Sequence, residues 1–151
     1  MLLSRYVVGE SPESKWDDGY FTVGDHGFLD ADGYLYVVGR EKRMLVTSGA
    51  NLYPEAVEAV IAGHASIENV SVMGVDEALR GQRVVAFLKL KQNECRPGVR
   101  EIADICLSRL GRHAVPSKFF LVDEWPLSAS GKTNHQALLE MINASEKLQQ
   151  L

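Results

Sequence analysis

Met44-Leu45-Val46-Thr47-Ser48-Gly49-Ala50-Asn51-Leu52-Tyr53-Pro54-Glu55 is the stretch on which the fold turns. Its first four residues read as a short strand, Ser48–Asn51 as a turn, and Pro54 as the first residue of a helix, where a missing N–H is tolerated. Glu55 and Glu58 fall near the positive end of that helix. Tyr53, Val57, Val60, Ile61 and His64 recur at helical spacing, which predicts a helix reaching about His64.

Downstream, the alternation of strand and helix continues. Asn69–Val75 and Gln82–Lys91 predict strands separated by a polar turn around Asp76–Gly81. Pro97–Leu110 predicts a helix whose apolar stripe is Val99, Ile102, Cys106 and Leu110, with Gly111 as its stop. Ser117–Asp123 predicts a strand, Asn134–Ile142 a last amphipathic helix, and Asn143–Gln150 a polar tail. Upstream the pattern differs. Gly9–Lys15 is a polar run that reads as loop. Beyond it, turn signals at Asp17-Asp18-Gly19 and Asp30-Ala31-Asp32-Gly33 bracket short apolar segments, Tyr20–Val23, Phe28–Leu29 and Tyr34–Val38, which read as a β meander. Charge breaks the pattern at Gly39-Arg40-Glu41-Lys42-Arg43. The expectation is an α+β chain with a boundary there: residues 1–41 as β structure from one unit, residues 42–151 as a second.

Composition narrows the classes further. At 151 residues, 46% hydrophobic and 24% charged, the chain is ordinary for a globular protein and long enough to bury a core without staples. A net charge of −4 gives no electrostatic reason for binding nucleic acid. No apolar run approaches the roughly 20 residues of a membrane span. The two cysteines, Cys95 and Cys106, make no disulfide framework, which points to a reducing, cytoplasmic setting. Neither they nor the four histidines show metal-ligand spacing.

Three residue types stand where anion or sugar chemistry could use them. Gly131-Lys132-Thr133 resembles the end of a Walker loop, but Pro126 occupies the place of that motif's first glycine and the run is too poor in glycine to cradle phosphate. What remains is a lysine on a Ser/Gly loop: a deliverable cation, or solvent decoration. Asp25, after Gly24 at a strand end, suits a vicinal diol or a turn's own N–H groups. Arg40, after Gly39, suits phosphate oxygens or a surface ion pair.

Taken in order, Gly19-Tyr20-Phe21-Thr22-Val23-Gly24-Asp25, Asp32-Gly33-Tyr34-Leu35, Gly39-Arg40, Ser48-Gly49-Ala50-Asn51-Leu52-Tyr53-Pro54 with Glu58, and Pro126 with Ser130-Gly131-Lys132 resemble the closing third of the adenylate-forming superfamily, which includes acyl-CoA synthetases and peptide-synthetase adenylation domains. The resemblance spans about residues 15 to 142. It implies that residues 1–41 end the large N-terminal domain and residues 42–151 form the small mobile C-terminal domain, a short sheet with packed helices. It also implies roles: Asp25 and Arg40 on the nucleotide, Lys132 as catalytic lysine during acyl-AMP formation, Lys42 as hinge, and Ser48 and Gly49 on the loop facing the pantetheine thiol. ATP with Mg, whose ligands lie mostly in the absent N-terminal domain, and CoA as cosubstrate complete the picture. The partners implied are that N-terminal domain, a carboxylic acid, and CoA or a carrier protein.

The sequence departs from the superfamily pattern at Val23, Ser48, Ala50, Ser128 and His135, while Asp25, Arg40, Gly49 and Lys132 keep it. The phosphate loop and acid pocket of the resemblance have no counterpart here, so the expectation is a fragment with no turnover of its own. The competing expectations are a carrier-loading adenylation domain and a non-catalytic interaction domain of the same fold.

Overall fold

The structure, a computed structural model, describes residues 15–17, 20–22, 24–47, 49–77, 81–92, 94–143 and 149–150. Residues 18–19 and 78–80 of the turns expected at Asp17-Asp18-Gly19 and Asp76–Gly81, most of the polar runs at 9–15 and 143–150, and Ser48 lie outside these residues, while Asp17, Asp76, Glu77 and Gly81 belong to strands.

In chain order the elements are β1 (Lys15–Asp17), β2 (Tyr20–Thr22), β3 (Asp25–Leu29), β4 (Leu35–Arg40), β5 (Leu45–Thr47), β6 (Ala50–Leu52), α1 (Pro54–Ala62), β7 (Ile67–Glu77), β8 (Gly81–Leu90), α2 (Val99–Leu110), β9 (Lys118–Leu121), α3 (His135–Asn143) and β10 (Gln149–Gln150). Among the described residues, β1 pairs with β2 and β3 with β4, as two antiparallel ribbons. Gly24 interrupts the run, with φ +75° and its N–H donated to Thr22 Oγ1 at 3.2 Å. The Asp30–Gly33 turn forms as expected: Asp30 Oδ1 accepts the N–H groups of Asp32 (3.0 Å) and Tyr34 (2.9 Å), and Gly33 takes φ +85°.

The centre of the chain is a four-stranded sheet in the order β10-β9-β8-β7, in which β8 and β9 run parallel and the other pairs antiparallel. The parallel pair is joined through α2, the connection such a pair requires. Val84, Ala86 and Leu88 on one face of β8 join Val57, Ile61, Ile102 and Cys106 from α1 and α2. On the other face, Val85 and Phe87 join Phe120 and Leu138, the latter from α3. β8 is thus covered on both sides, which is why Val84-Val85-Ala86-Phe87-Leu88 reads as an unbroken apolar run. Full burial of one such side chain contributes about 1.5–3 kcal/mol.

Three boundaries differ from expectation for local reasons. The expected turn over Ser48–Asn51 is shorter: Ala50–Leu52 turns back on Leu45–Thr47 as a hairpin, with Leu45, Thr47 and Leu52 facing inward. α1 stops at Ala62, and His64 instead uses Nδ1 to accept the Ser66 N–H and Nε2 to contact Glu101 at 3.2 Å. α2 begins at Val99 and not at Pro97; Glu101 reaches back to the Gly98 N–H at 3.3 Å, and Val99, in the first turn, stays exposed. Cys106 is buried, and burial pushes its thiol pKa up, so it acts as a small hydrophobe; Cys95 is exposed, and both are free thiols.

Candidate functional site

Lys132 stands on a loop that is short but not loose. Ser128 donates its N–H to Lys132 O (2.7 Å), Gly131 donates to Ser128 O (2.9 Å), and the Lys132 N–H reaches Ser128 Oγ at 3.3 Å. Gly131 has φ +77°, the conformation that only glycine adopts without strain. At the base, Leu127 bridges Thr133, Trp125 Nε1 donates to Thr133 Oγ1 (3.1 Å), and Asn134 caps α3 by accepting the Ala137 N–H (3.1 Å). Lys132 itself is exposed at the tip. The Ser/Gly composition therefore builds a braced finger rooted on α3.

Asp25 and Arg40 lie directly opposite in the β3–β4 register and form an ion pair, Arg40 Nε to Asp25 Oδ1, at 2.9 Å. With the arginine side chain 65% exposed, the pair contributes at most about 1 kcal/mol, so either partner can be drawn off by a ligand at small cost. Lys42 is exposed within a 3-10 turn, Glu41–Arg43. Gly49 is exposed at the tip of the β5–β6 hairpin with φ +80°, and a Cβ there would meet nothing within 4 Å, so backbone conformation and not crowding calls for glycine. No hydrogen bond or ion pair among the described residues joins Lys132 to Asp25 or Arg40. The structure brings Asp25 to Arg40 and leaves Lys132 and Gly49 on separate projections.

One cluster was not visible in the sequence. Arg43, immediately after Lys42, donates to Glu55 Oε1 (3.0 Å), to Glu58 Oε1 (2.6 Å) and Oε2 (3.2 Å), and to the Val72 carbonyl (3.1 Å). Glu58 Oε1 in turn accepts the Val72 N–H at 2.8 Å. β7 is the edge of the sheet, and this guanidinium–carboxylate pair takes up the N–H and C=O of Val72 on that edge as a neighbouring strand would. Burial alone would lower the arginine pKa, and the hydrogen bonds and charges of Glu58 and Glu55 more than reverse that. Glu55 and Glu58 thus serve an ion pair more than the helix end to which their position assigned them. The only signal in the sequence was their i, i+3 spacing on one helix face.

His135 feels the same cluster. Burial, then the positive charge of Arg43, lowers its pKa from 6.5, with Glu58 and Glu55 opposing. The folded chain therefore binds this proton more weakly than the unfolded chain. The stability so contributed is complete above pH 6.5 and is lost as pH falls through the folded value. Thermal melting between about pH 5 and pH 7.5 should show this loss, and His135→Gln should flatten that part of the curve.

Among the described residues no group of three or more His, Cys, Asp or Glu side chains is arranged to hold a metal ion, and no helix is long and apolar enough to cross a membrane.

Residues 56–132 match the family described as AMP-binding enzyme C-terminal domain. A 2-succinylbenzoate–CoA ligase of Geobacillus kaustophilus is 36% identical over 129 residues, which are 85% of this chain and 26% of that protein. A long-chain-fatty-acid–CoA ligase of Mycobacterium tuberculosis is 32% identical, over 90% of this chain and 27% of its own length. Among solved structures, the o-succinylbenzoate CoA synthetase of Bacillus subtilis in complex with its acyl-adenylate intermediate superposes with TM-score 0.71 at 32% identity, covering 82% of this chain and 25% of that one. The amide bond synthetase of Marinactinospora thermotolerans shares the fold, with TM-score 0.75 at 24% identity over 83% of this chain and 26% of its own. The chain thus spans about a quarter of the length of the relatives it matches.

Proposed function

This chain belongs to the AMP-binding enzyme C-terminal domain family, and on that premise we propose that it is the closing portion of an ATP-dependent acid–thiol ligase, carrying the lid and its catalytic lysine. In the first half-reaction a carboxylate oxygen attacks the α-phosphorus of ATP, an O–P bond forms, and pyrophosphate leaves. In the second a thiol sulfur attacks the acyl carbon, a C–S bond forms, AMP leaves with the electron pair of the broken C–O bond, and the thiol proton goes to solvent or a base.

The observation that carries this reading is the presentation of Lys132: a compact cation at the tip of a braced finger, free of competing structural bonds in its ammonium group among the described contacts. Bringing a carboxylate to a triphosphate sets anion against anion, and a cation placed between them stabilises the charge that develops. Asp25 is assigned to the ribose hydroxyls and Arg40 to the nucleotide phosphate. Lys42 is assigned as the hinge, because the residues before it belong to the β3–β4 ribbon and Arg43 after it is fastened to α1 and β7. Ser48 and Gly49 are assigned to the thiol path. Free CoA is the acceptor we adopt, because the Geobacillus and Mycobacterium relatives are CoA ligases.

The β3–β4 ribbon supplies a seat for the rest of the enzyme. Phe28, Leu29, Tyr34, Leu35, Tyr36 and Val37 are all 48–68% exposed on this two-stranded ribbon. Contiguous apolar surface of this kind marks a contact site, and we assign it to the N-terminal domain that makes up the remaining length of the relatives. The free thiols of Cys95 and Cys106 favour a cytoplasmic enzyme.

The test is acid-dependent ATP–pyrophosphate exchange by the full-length protein across a panel of carboxylic acids, followed by thioester formation on adding CoA. Exchange with at least one acid is expected. Residues 1–151 alone should show none, and exchange by them, or its absence in the full-length protein with every acid, would overturn the reading.

A further inference from the structure

The register of β3 and β4 slips by one residue between His26 and Gly27, leaving His26 directly opposite Gly39, next to the Asp25–Arg40 pair. Bulges of this kind re-aim a side chain. Here His26 meets Tyr53, the residue between β6 and α1: the tyrosine hydroxyl and His26 Nδ1 are 3.2 Å apart, and the ring centroids 5.6 Å. Gly39 completes the seat. A Cβ at Gly39 would stand 2.7 Å from Tyr53 Cδ1 and 2.8 Å from Glu55 Oε2, so only glycine lets the ring and the helix start come this close. Glu55 Oε2 is buried beneath this contact with no hydrogen-bond partner among the described residues.

This contact spans the proposed hinge. On one side His26 follows Asp25; on the other Tyr53 follows the β5–β6 hairpin with Gly49 at its tip. The contact therefore holds the hairpin's root against the nucleotide strand, while among the described residues no hydrogen bond or ion pair brings Lys132 there. We propose that Tyr53 and His26 are a positioning pair, a latch that favours the arrangement for thiol transfer over the one for adenylation. The proposal rests on the ligase reading for its consequence and on geometry alone for its existence. Turning at Lys42 to bring Lys132 in must break the Tyr53–His26 bond and unseat Tyr53 from Gly39. The same turn re-exposes Glu55 Oε2 to water, which partly offsets that loss, so the latch is able to open.

In the full-length protein, Tyr53→Phe keeps the ring and deletes the hydroxyl. Two single-turnover steps are then followed: acyl-AMP formation without CoA, and thioester formation when CoA is added to preformed acyl-AMP. The thiol step should slow about three- to tenfold, the span of one hydrogen bond's net contribution, while adenylation changes less than about twofold. His26→Phe should match it, and the double variant should be no worse than either single. Gly39→Ala should produce the same split by crowding without touching either hydrogen-bonding group. Equal slowing of both steps, no slowing, or additive singles overturns the latch. Should the wild-type protein perform neither step, the ligase reading is what fails. A double-mutant cycle on thermal melting with the same two variants then decides the latch, zero coupling overturning it.

Discussion

In the full-length enzyme, Lys132→Ala is expected to slow acyl-AMP formation by roughly 10²–10³-fold, the effect of removing one preorganised donor from a developing anionic centre. The size follows from timing. A cation that touched only the ground state would change KM; one that meets charge as it develops between carboxylate and α-phosphate changes the rate of the step itself. Thioester formation from supplied acyl-AMP should be spared, because the proposed turn at Lys42 withdraws the lysine before that step. The exposed position of Lys132 makes this a clean experiment, since no packing is lost with the side chain and melting should not move. Lys132→Arg keeps the charge but spreads it over a planar fork, and should recover only part of the rate. Unchanged adenylation in Lys132→Ala would remove this residue from the mechanism.

The second large effect concerns stability. Arg43→Ala strands Glu58 and Glu55, whose side chains are only 18% and 29% exposed, and strips a donor from the Val72 carbonyl. Removing one member of a largely buried ion pair costs about 3 kcal/mol, which for a chain of this size corresponds to a fall in melting temperature of about 10 °C. Glu58→Gln is the instructive comparison. It keeps an oxygen for the Val72 N–H and gives up only the charge, so it should cost about 1–2 kcal/mol. Glu58→Ala, which also orphans that edge N–H, should cost more. Equal melting temperatures for Glu58→Gln and Glu58→Ala would show that the edge bond carries no weight.

Local patterns told the truth about local structure. Gln82–Lys91 announced a strand, Asp30–Gly33 a tight turn, and Pro54 the start of a helix, and all three form. What the sequence could not display was anything made by residues far apart in the chain. Arg43 looks like one charge in a basic stretch until β7 is seen to lie alongside with an open edge, 29 residues on. His26 looks like a strand residue until the bulge turns it to Tyr53. The loop at Lys132 is a related case: its serines and glycine mark a loop in composition, while the hydrogen bonds among the same hydroxyls and N–H groups form only once the chain bends. The ordered series of motifs pointed to the family, and the match over residues 56–132 bears that out.

β8, hemmed by a strand on either side and by apolar layers above and below, has no local way to open. Deuterium should reach the amides of Val84–Leu88 only when the entire sheet comes apart, whereas the ribbon of β3 and β4, open to solvent, should exchange through small breathing motions. The central strand is therefore an internal clock: its exchange rate reports the integrity of the unit that carries Lys132.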